Sequence, residues 1–186
     1  MLNETAQGVF TIAVTPFLPN GALDFDSIDS MVDAYVERGA TGLTILGMMG
    51  EAGKLSAEES IAVVERVVAR ASVPVVVGVS APGFAAMSAL TKAAMDTGAA
   101  GVMVAPPSSL RTDAQILGYY HSAAEALGDV PFVLQDFPLA TGVQMSTDVI
   151  LKIVADCPSC VMLKHEDWPG LEKISALRAA SDQGAR

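Results

Sequence analysis

Lys164 is the residue of this sequence best suited to covalent chemistry. It ends the apolar run Val161-Met162-Leu163, whereas the other four lysines lie in a polar loop or on predicted helices. A lysine at the end of a buried strand is costly to desolvate, and a neutral amine there can attack a carbonyl to form a Schiff base. The same position also suits a lysine that extends its ammonium group to solvent, so position alone leaves both interpretations open.

Glu166 follows Lys164 by two residues. Side chains alternate along a strand, so we expect both to face one side and His165 to face the other, as a packed or surface residue. A carboxylate beside an imine could move protons. The pair could equally be a plain ion pair, which would favour the charged ammonium and oppose nucleophilic attack.

Six strand–helix units must position these residues. Near-continuous apolar runs, typical of parallel strands buried on both faces, occur at 8–17, 42–47, 73–80, 101–107, 130–138 and 159–164. Helical patterns lie between and after them, at 25–38, 56–71, 83–97, 113–127, 146–156 and 169–182. Helix-capping residues agree with these bounds: we expect a capping box at Ser56 and caps at Asp24, Thr112 and Ser146.

This alternation predicts an α/β fold with a parallel sheet. The first strand lacks the G-x-G-x-x-G signature of an open dinucleotide-binding sheet, so we predict a (β/α)₈ TIM barrel. Its catalytic groups would lie at the carboxyl ends of the strands. Such a barrel takes eight units and roughly 250 residues. We therefore expect residues 1–186 to form a single truncated TIM-barrel domain, or one that borrows structure from a partner.

Composition excludes several classes of protein. The 186 residues are 51% hydrophobic and carry a net charge of −10, which argues against disorder, a nucleic-acid surface and an anionic membrane surface. No run is long enough for a membrane helix, and the first residues do not resemble a signal peptide. Cys157 and Cys160 are predicted to be structural thiols in a reducing cytoplasm rather than redox groups or metal ligands.

Several motifs carry a resemblance to a known family. Thr15-Pro16-Phe17 ends the first strand, Gly47-Met48-Met49-Gly50-Glu51 follows the second, and Pro138-x-x-Thr141-Gly142 follows the fifth. With Lys164 on the sixth strand, this order resembles the dihydrodipicolinate synthase/N-acetylneuraminate lyase family. The resemblance covers essentially all of 8–182.

The resemblance implies a (β/α)₈ barrel, usually a homotetramer, in which Lys164 forms an imine with the ketone of pyruvate or another 2-oxo acid. It implies no metal and no organic cofactor, because the protonated imine itself withdraws electrons. The site residues it implies are Lys164 and Glu166 as catalytic groups, and Thr15, Met48, Met49 and Gln135 as substrate contacts.

Two departures from the family pattern favour a particular branch. The family's proton-relay tyrosine on the fifth strand is replaced by Gln135, and hydroxyl-bearing residues of the G-x-T-G-E turn are replaced by Met48 and Met49. Gln135 cannot titrate, whereas Glu166 can, as in branches that dehydrate 2-keto-3-deoxy sugar acids. We therefore predict such a dehydratase or an aldolase. The alternatives are a 4-hydroxy-tetrahydrodipicolinate synthase, acting on pyruvate and aspartate semialdehyde, and an inactive barrel that only binds or assembles.

Overall fold

Six strands alternate with helices along the chain, and the computed structural model describes all 186 residues. The strands are β1 (Phe10–Ile12), β2 (Gly42–Ile45), β3 (Val75–Gly78), β4 (Gly101–Val104), β5 (Phe132–Asp136) and β6 (Cys160–His165). The helices are α1 (Phe25–Glu37), α2 (Ala57–Arg70), α3 (Phe84–Thr97), α4 (Asp113–Leu127), α5 (Pro138–Thr141), α6 (Thr147–Asp156) and α7 (Leu171–Asp182). The short helix α5 and a 3₁₀ turn at Ala52–Lys54 are the elements that the periodicity did not predict.

The helix starts follow from local sequence. The Ser56 hydroxyl accepts a hydrogen bond from the Glu59 amide, and the Glu59 carboxylate accepts one from the Ser56 amide, which is the predicted capping box. Thr112 forms a second capping box with Gln115. The predicted caps Asp24 and Ser146 also accept amide hydrogen bonds at the starts of α1 and α6. Each cap satisfies amides that have no partner within the helix.

The chain divides into two compact units, of which the first comprises Met1–Val79 and Ser88–Met103. Its strands pair in parallel in chain order, β1 with β2, β2 with β3, and β3 with β4. Leu43, Val64 and Val77 are fully buried in its core. On its surface, Arg66 of α2 makes a two-pronged ion pair with Asp29 of α1, which ties these helices together.

The second unit comprises Ser80–Met87 and Val104–Arg186. Strands β5 and β6 pair in parallel, and the register shifts between Phe132 and Val133, so that Val161 is an extra residue on β6. Phe132, Leu134 and Ile153 are fully buried. The prediction of a single domain over 1–186 is not tested by this division and stays a prediction.

The two cysteines are free and buried, Cys157 at the end of α6 and Cys160 at the start of β6. Burial raises the pKa of the Cys160 thiol to about 12 and also raises that of Cys157. A thiol that stays protonated is neither a good nucleophile nor a metal ligand, which agrees with the structural role predicted for both. None of the helices is long and apolar enough to cross a bilayer.

Candidate active site

The carboxyl ends of β5 and β6 lie side by side and carry most of the predicted chemistry. Gln135 is in register with Lys164, and Asp136 is in register with His165. Since side chains alternate along each strand, the first pair faces one side of the two strands and the second pair faces the other. The extra residue at Val161 creates this register, because without it Gln135 would lie opposite Leu163.

Lys164, Glu166 and Gln135 meet on one face. The Lys164 Nζ lies 3.0 Å from the Glu166 Oε1, and the Gln135 Nε2 donates a hydrogen bond of 2.8 Å to the same oxygen. This confirms that Lys164 and Glu166 share one side of β6. Gln135 is 2% exposed, whereas the Lys164 and Glu166 side chains are 23% and 30% exposed.

In this arrangement, a partly exposed amine lies beside a carboxylate whose orientation is fixed by a hydrogen bond. Gln135 has no titratable proton, so its contribution is to fix the orientation of the Glu166 carboxylate. Glu166 can accept a proton from the Lys164 ammonium across 3.0 Å, and a carboxylate at this distance from the nitrogen can also exchange protons with a molecule bound there.

His165 and Asp136 lie on the opposite face. The His165 Nδ1 is 2.8 Å from the Asp136 Oδ2, and the two side chains are 8% and 0% exposed. His165 is therefore a packed residue, as predicted. Asp136 also pairs with Lys173 on α7, whose Nζ lies 3.0 Å from the Asp136 Oδ2 and which the sequence did not associate with the site.

Thr15, Met48 and Met49 lie in the first unit, at the ends of β1 and β2. The Thr15 hydroxyl is buried and donates a hydrogen bond of 2.6 Å to the Gly50 carbonyl, which ties the end of β1 to the Gly47–Glu51 turn. The side chains of Met48 and Met49 are 41% and 58% exposed on that turn. Substrate contacts by these three residues stay a prediction.

Gly78, which the sequence analysis did not single out, supports the same turn. A methyl group on its Cα would lie 2.1 Å from the Leu46 carbonyl oxygen and 2.8 Å from its carbonyl carbon. Leu46 has a left-handed φ of 53° and leads directly into the turn. The absence of a side chain at residue 78 therefore lets the turn occupy its position, and the signal in the sequence is a glycine that interrupts a valine-rich strand.

The Gly78→Ala substitution should destabilise the protein, because the new Cβ meets backbone atoms that cannot rotate away. Overpacking of a tight site costs about 1–3 kcal/mol of the free energy of unfolding, occasionally more. Gly118→Ala on α4 is the matched control, because nothing lies within 4 Å of its added Cβ and alanine favours a helix over glycine by about 1 kcal/mol. Urea denaturation followed by circular dichroism measures both, and equal midpoints for the two variants would contradict the argument.

The six strand–helix units are those of a truncated TIM barrel. Its candidate active site has a lysine amine at the carboxyl end of the sixth strand. The chain belongs to the dihydrodipicolinate synthetase family, whose sequence model matches residues 5–178. The family resemblance and the truncated TIM-barrel fold expected from the sequence are thereby confirmed.

Individual relatives agree in sequence and in structure. The chain is 37% identical over 160 residues to a 4-hydroxy-tetrahydrodipicolinate synthase of Sorangium cellulosum, covering 84% of this chain and 53% of that protein. A crystal structure of dihydrodipicolinate synthase from Rhodopseudomonas palustris is 56% identical, with a TM-score of 0.96, and the match covers 99% of this chain and 62% of that one.

A third relative was solved with a small molecule bound. The chloride-inhibited dihydrodipicolinate synthase from Acinetobacter baumannii, complexed with pyruvate, is 32% identical, with a TM-score of 0.84 over 94% of this chain and 61% of that one. The chain thus spans about half the length of the curated relative and under two thirds of these solved chains.

Proposed function

We propose that this protein is a lyase that forms a Schiff base between Lys164 and the ketone of a 2-oxo acid. The observation that carries the proposal is the Lys164 amine at the end of β6, partly exposed and 3.0 Å from the Glu166 carboxylate. Membership of the dihydrodipicolinate synthetase family supports it, as does the pyruvate complex of the Acinetobacter baumannii relative.

The reaction begins when Glu166 accepts a proton from the Lys164 ammonium. The neutral amine then attacks the ketone carbon, and as the carbon–nitrogen bond forms the nitrogen passes one proton to the former carbonyl oxygen, which gives a carbinolamine. Glu166 returns its proton to that hydroxyl, which leaves as water and gives the protonated imine. The protonated imine then draws electron density from the adjacent carbon, so the substrate and the lysine together supply the electron sink.

The names of the relatives favour one outcome for this imine. The Sorangium cellulosum relative is named as a 4-hydroxy-tetrahydrodipicolinate synthase. In that reaction, an enamine derived from pyruvate would form a carbon–carbon bond to the aldehyde of aspartate semialdehyde. This condensation is the first candidate reaction for the present protein.

The geometry favours a second candidate. By the family resemblance, Gln135 takes the strand position of the family's relay tyrosine, and its amide donates a hydrogen bond to the Glu166 carboxylate. Glu166 would then take a proton from C3 of a bound 2-keto-3-deoxy sugar acid. The resulting enamine would expel the C4 hydroxyl, which takes that proton back from Glu166 and leaves as water. Dehydration needs one carboxylate beside the imine, which this cluster supplies without a phenol.

Borohydride trapping tests the shared first step. Incubation of the full-length protein with pyruvate and sodium borohydride should reduce the imine to a stable amine, and peptide mass spectrometry should locate it on Lys164. Absence of an adduct, or an adduct on another lysine alone, would overturn the proposal and favour a protein that only binds or assembles.

Two assays then separate the candidate reactions. A coupled assay with pyruvate and aspartate semialdehyde measures the condensation, and consumption of a series of 2-keto-3-deoxy sugar acids measures the dehydration. Turnover in only one assay identifies the reaction. We also propose, on the family resemblance, that the full-length protein is a homo-oligomer, which light scattering measures directly.

A further inference from the structure

A second polar network lies behind the Lys164–Glu166 pair, on the opposite face of the same strand ends. Asp136 is completely buried, and its Oδ2 lies 2.8 Å from the His165 Nδ1 and 3.0 Å from the Lys173 Nζ. The Lys173 Nζ also lies 2.6 Å from the Asp167 Oδ2. Four ionisable side chains from β5, β6, the following loop and α7 therefore share one buried cluster.

Lys173 supplies the positive charge of this cluster. Burial lowers the pKa of Lys173, but hydrogen bonds to Asp167 and Asp136 more than offset it, and the net shift is upward. The Lys173 hydrogen bond holds the pKa of Asp167 below its usual range. The Lys173 ammonium therefore joins the carboxyl groups of Asp167 and Asp136, and this ties α7 to the end of β5.

Both nitrogens of the His165 ring have a partner. Its Nε2 lies 3.2 Å from the Gly170 carbonyl oxygen, and its Nδ1 lies 2.8 Å from the Asp136 Oδ2. The ring is therefore held on both sides. The other ionisable group near Asp136 is Tyr120 of α4, whose burial raises its pKa well above the usual value and keeps it neutral.

This cluster also holds the backbone that carries the site. His165 is the residue between Lys164 and Glu166, so fixing its ring fixes the orientation of both neighbouring side chains on the opposite face. The Glu166 amide donates a hydrogen bond of 2.7 Å to the Asp136 carbonyl oxygen. Asp136 therefore holds residue 166 through its backbone and residue 165 through its side chain. The second carboxylate oxygen of Asp136 has no hydrogen-bond partner, so this residue depends on His165 and Lys173 to remain buried.

We propose that Asp136 and His165 form a positioning pair that orients Lys164 and Glu166 for imine formation. The inference rests on the proposed Schiff-base function and extends it to residues that never touch the substrate. A displacement of about 1 Å in a reacting group can cost 10²-fold in rate, so the pair affects the rate of imine formation without contributing an atom to it.

The test measures the rate of borohydride-trapped adduct formation with pyruvate in the full-length protein, for wild type, Asp136→Asn and His165→Gln. Both variants should reduce the maximal trapping rate by about 10- to 100-fold, with little change in the pyruvate concentration that gives half the maximal rate. The double variant should be no slower than either single variant if the two residues act as a unit.

His121→Gln is the matched control. His121 on α4 pairs with Asp156 at 2.9 Å, as His165 does with Asp136, but its side chain is 45% exposed. This control should trap pyruvate at the wild-type maximal rate and with the wild-type half-saturating concentration. A merely structural role for His165 would lower the melting temperature and leave the maximal rate per folded molecule unchanged.

The outcomes separate this inference from the proposed function. If the wild type forms no adduct, the proposed function and the inference both fail. If the wild type forms the adduct and the folded variants trap it at the wild-type rate, only the inference fails. If Asp136→Asn and His165→Gln do not fold, Lys173→Gln is measured in their place, because it removes the ammonium group that α7 contributes to the cluster. It should slow trapping in the same direction, and a wild-type rate in that variant would overturn the inference.

Discussion

Replacing Lys164 with arginine should reduce the trapped adduct with pyruvate to background. Arginine keeps the positive charge beside Glu166, so the ion pair seen at 3.0 Å can persist. A guanidinium group stays protonated in proteins and offers no lone pair for attack on a carbonyl. The loss would therefore report the missing nucleophile and not a change in local charge. Intact-mass spectrometry after borohydride reduction measures the fraction of adduct.

Lys152→Arg is the matched control for this substitution. Lys152 lies on α6 and pairs with Asp156 at 2.5 Å, and its side chain is 57% exposed. A pair of this kind on the surface contributes little to stability, so this variant should form the adduct as the wild type does. An adduct that persists at full yield in Lys164→Arg would contradict the assignment of Lys164.

The elements of the fold could be predicted because their signals are local. The capping box at Ser56 and Glu59 and the caps at Asp24 and Ser146 are each complete within a few residues, and each helix begins where these signals indicate. Alternation along β6 likewise predicted that Lys164 and Glu166 share a face. The two elements that were not predicted, α5 and the 3₁₀ turn at Ala52–Lys54, have too few residues to produce a periodic pattern.

The details of the site depend on contacts between distant parts of the chain. The extra residue at Val161 sets Gln135 opposite Lys164, and no run of apolar residues reveals a one-residue shift of register. The contact between Asp136 and Lys173 joins residues 37 positions apart. Gly78 is needed because of the Leu46 backbone, which directly follows the neighbouring strand β2. Such pairings follow from how the strands align, which one sequence does not specify.

The Glu166→Gln substitution should separate imine formation from the step that follows it. The amide keeps the size of the side chain but cannot accept a proton from carbon. General acid–base catalysis by a positioned side chain contributes typically 10²–10⁴-fold, so turnover of the substrate identified by the two assays should fall by about that factor. The imine with pyruvate should still form because the Lys164 amine is retained, but more slowly, since the amide cannot accept the Lys164 proton.

Glu172→Gln, an exposed carboxylate in the first turn of α7, is the control and should leave turnover unchanged. Trapping with borohydride and turnover must be measured on the same preparation, because the relative loss of the two rates shows which step depends on Glu166. A fall in both by the same factor would assign Glu166 to the activation of Lys164 alone. A fall in turnover far larger than the fall in trapping assigns it to proton transfer at the substrate carbon, which is the role that replaces the missing phenol. Unchanged turnover would mean that the proton passes through another group, and Glu166 would then be only the counter-ion of Lys164.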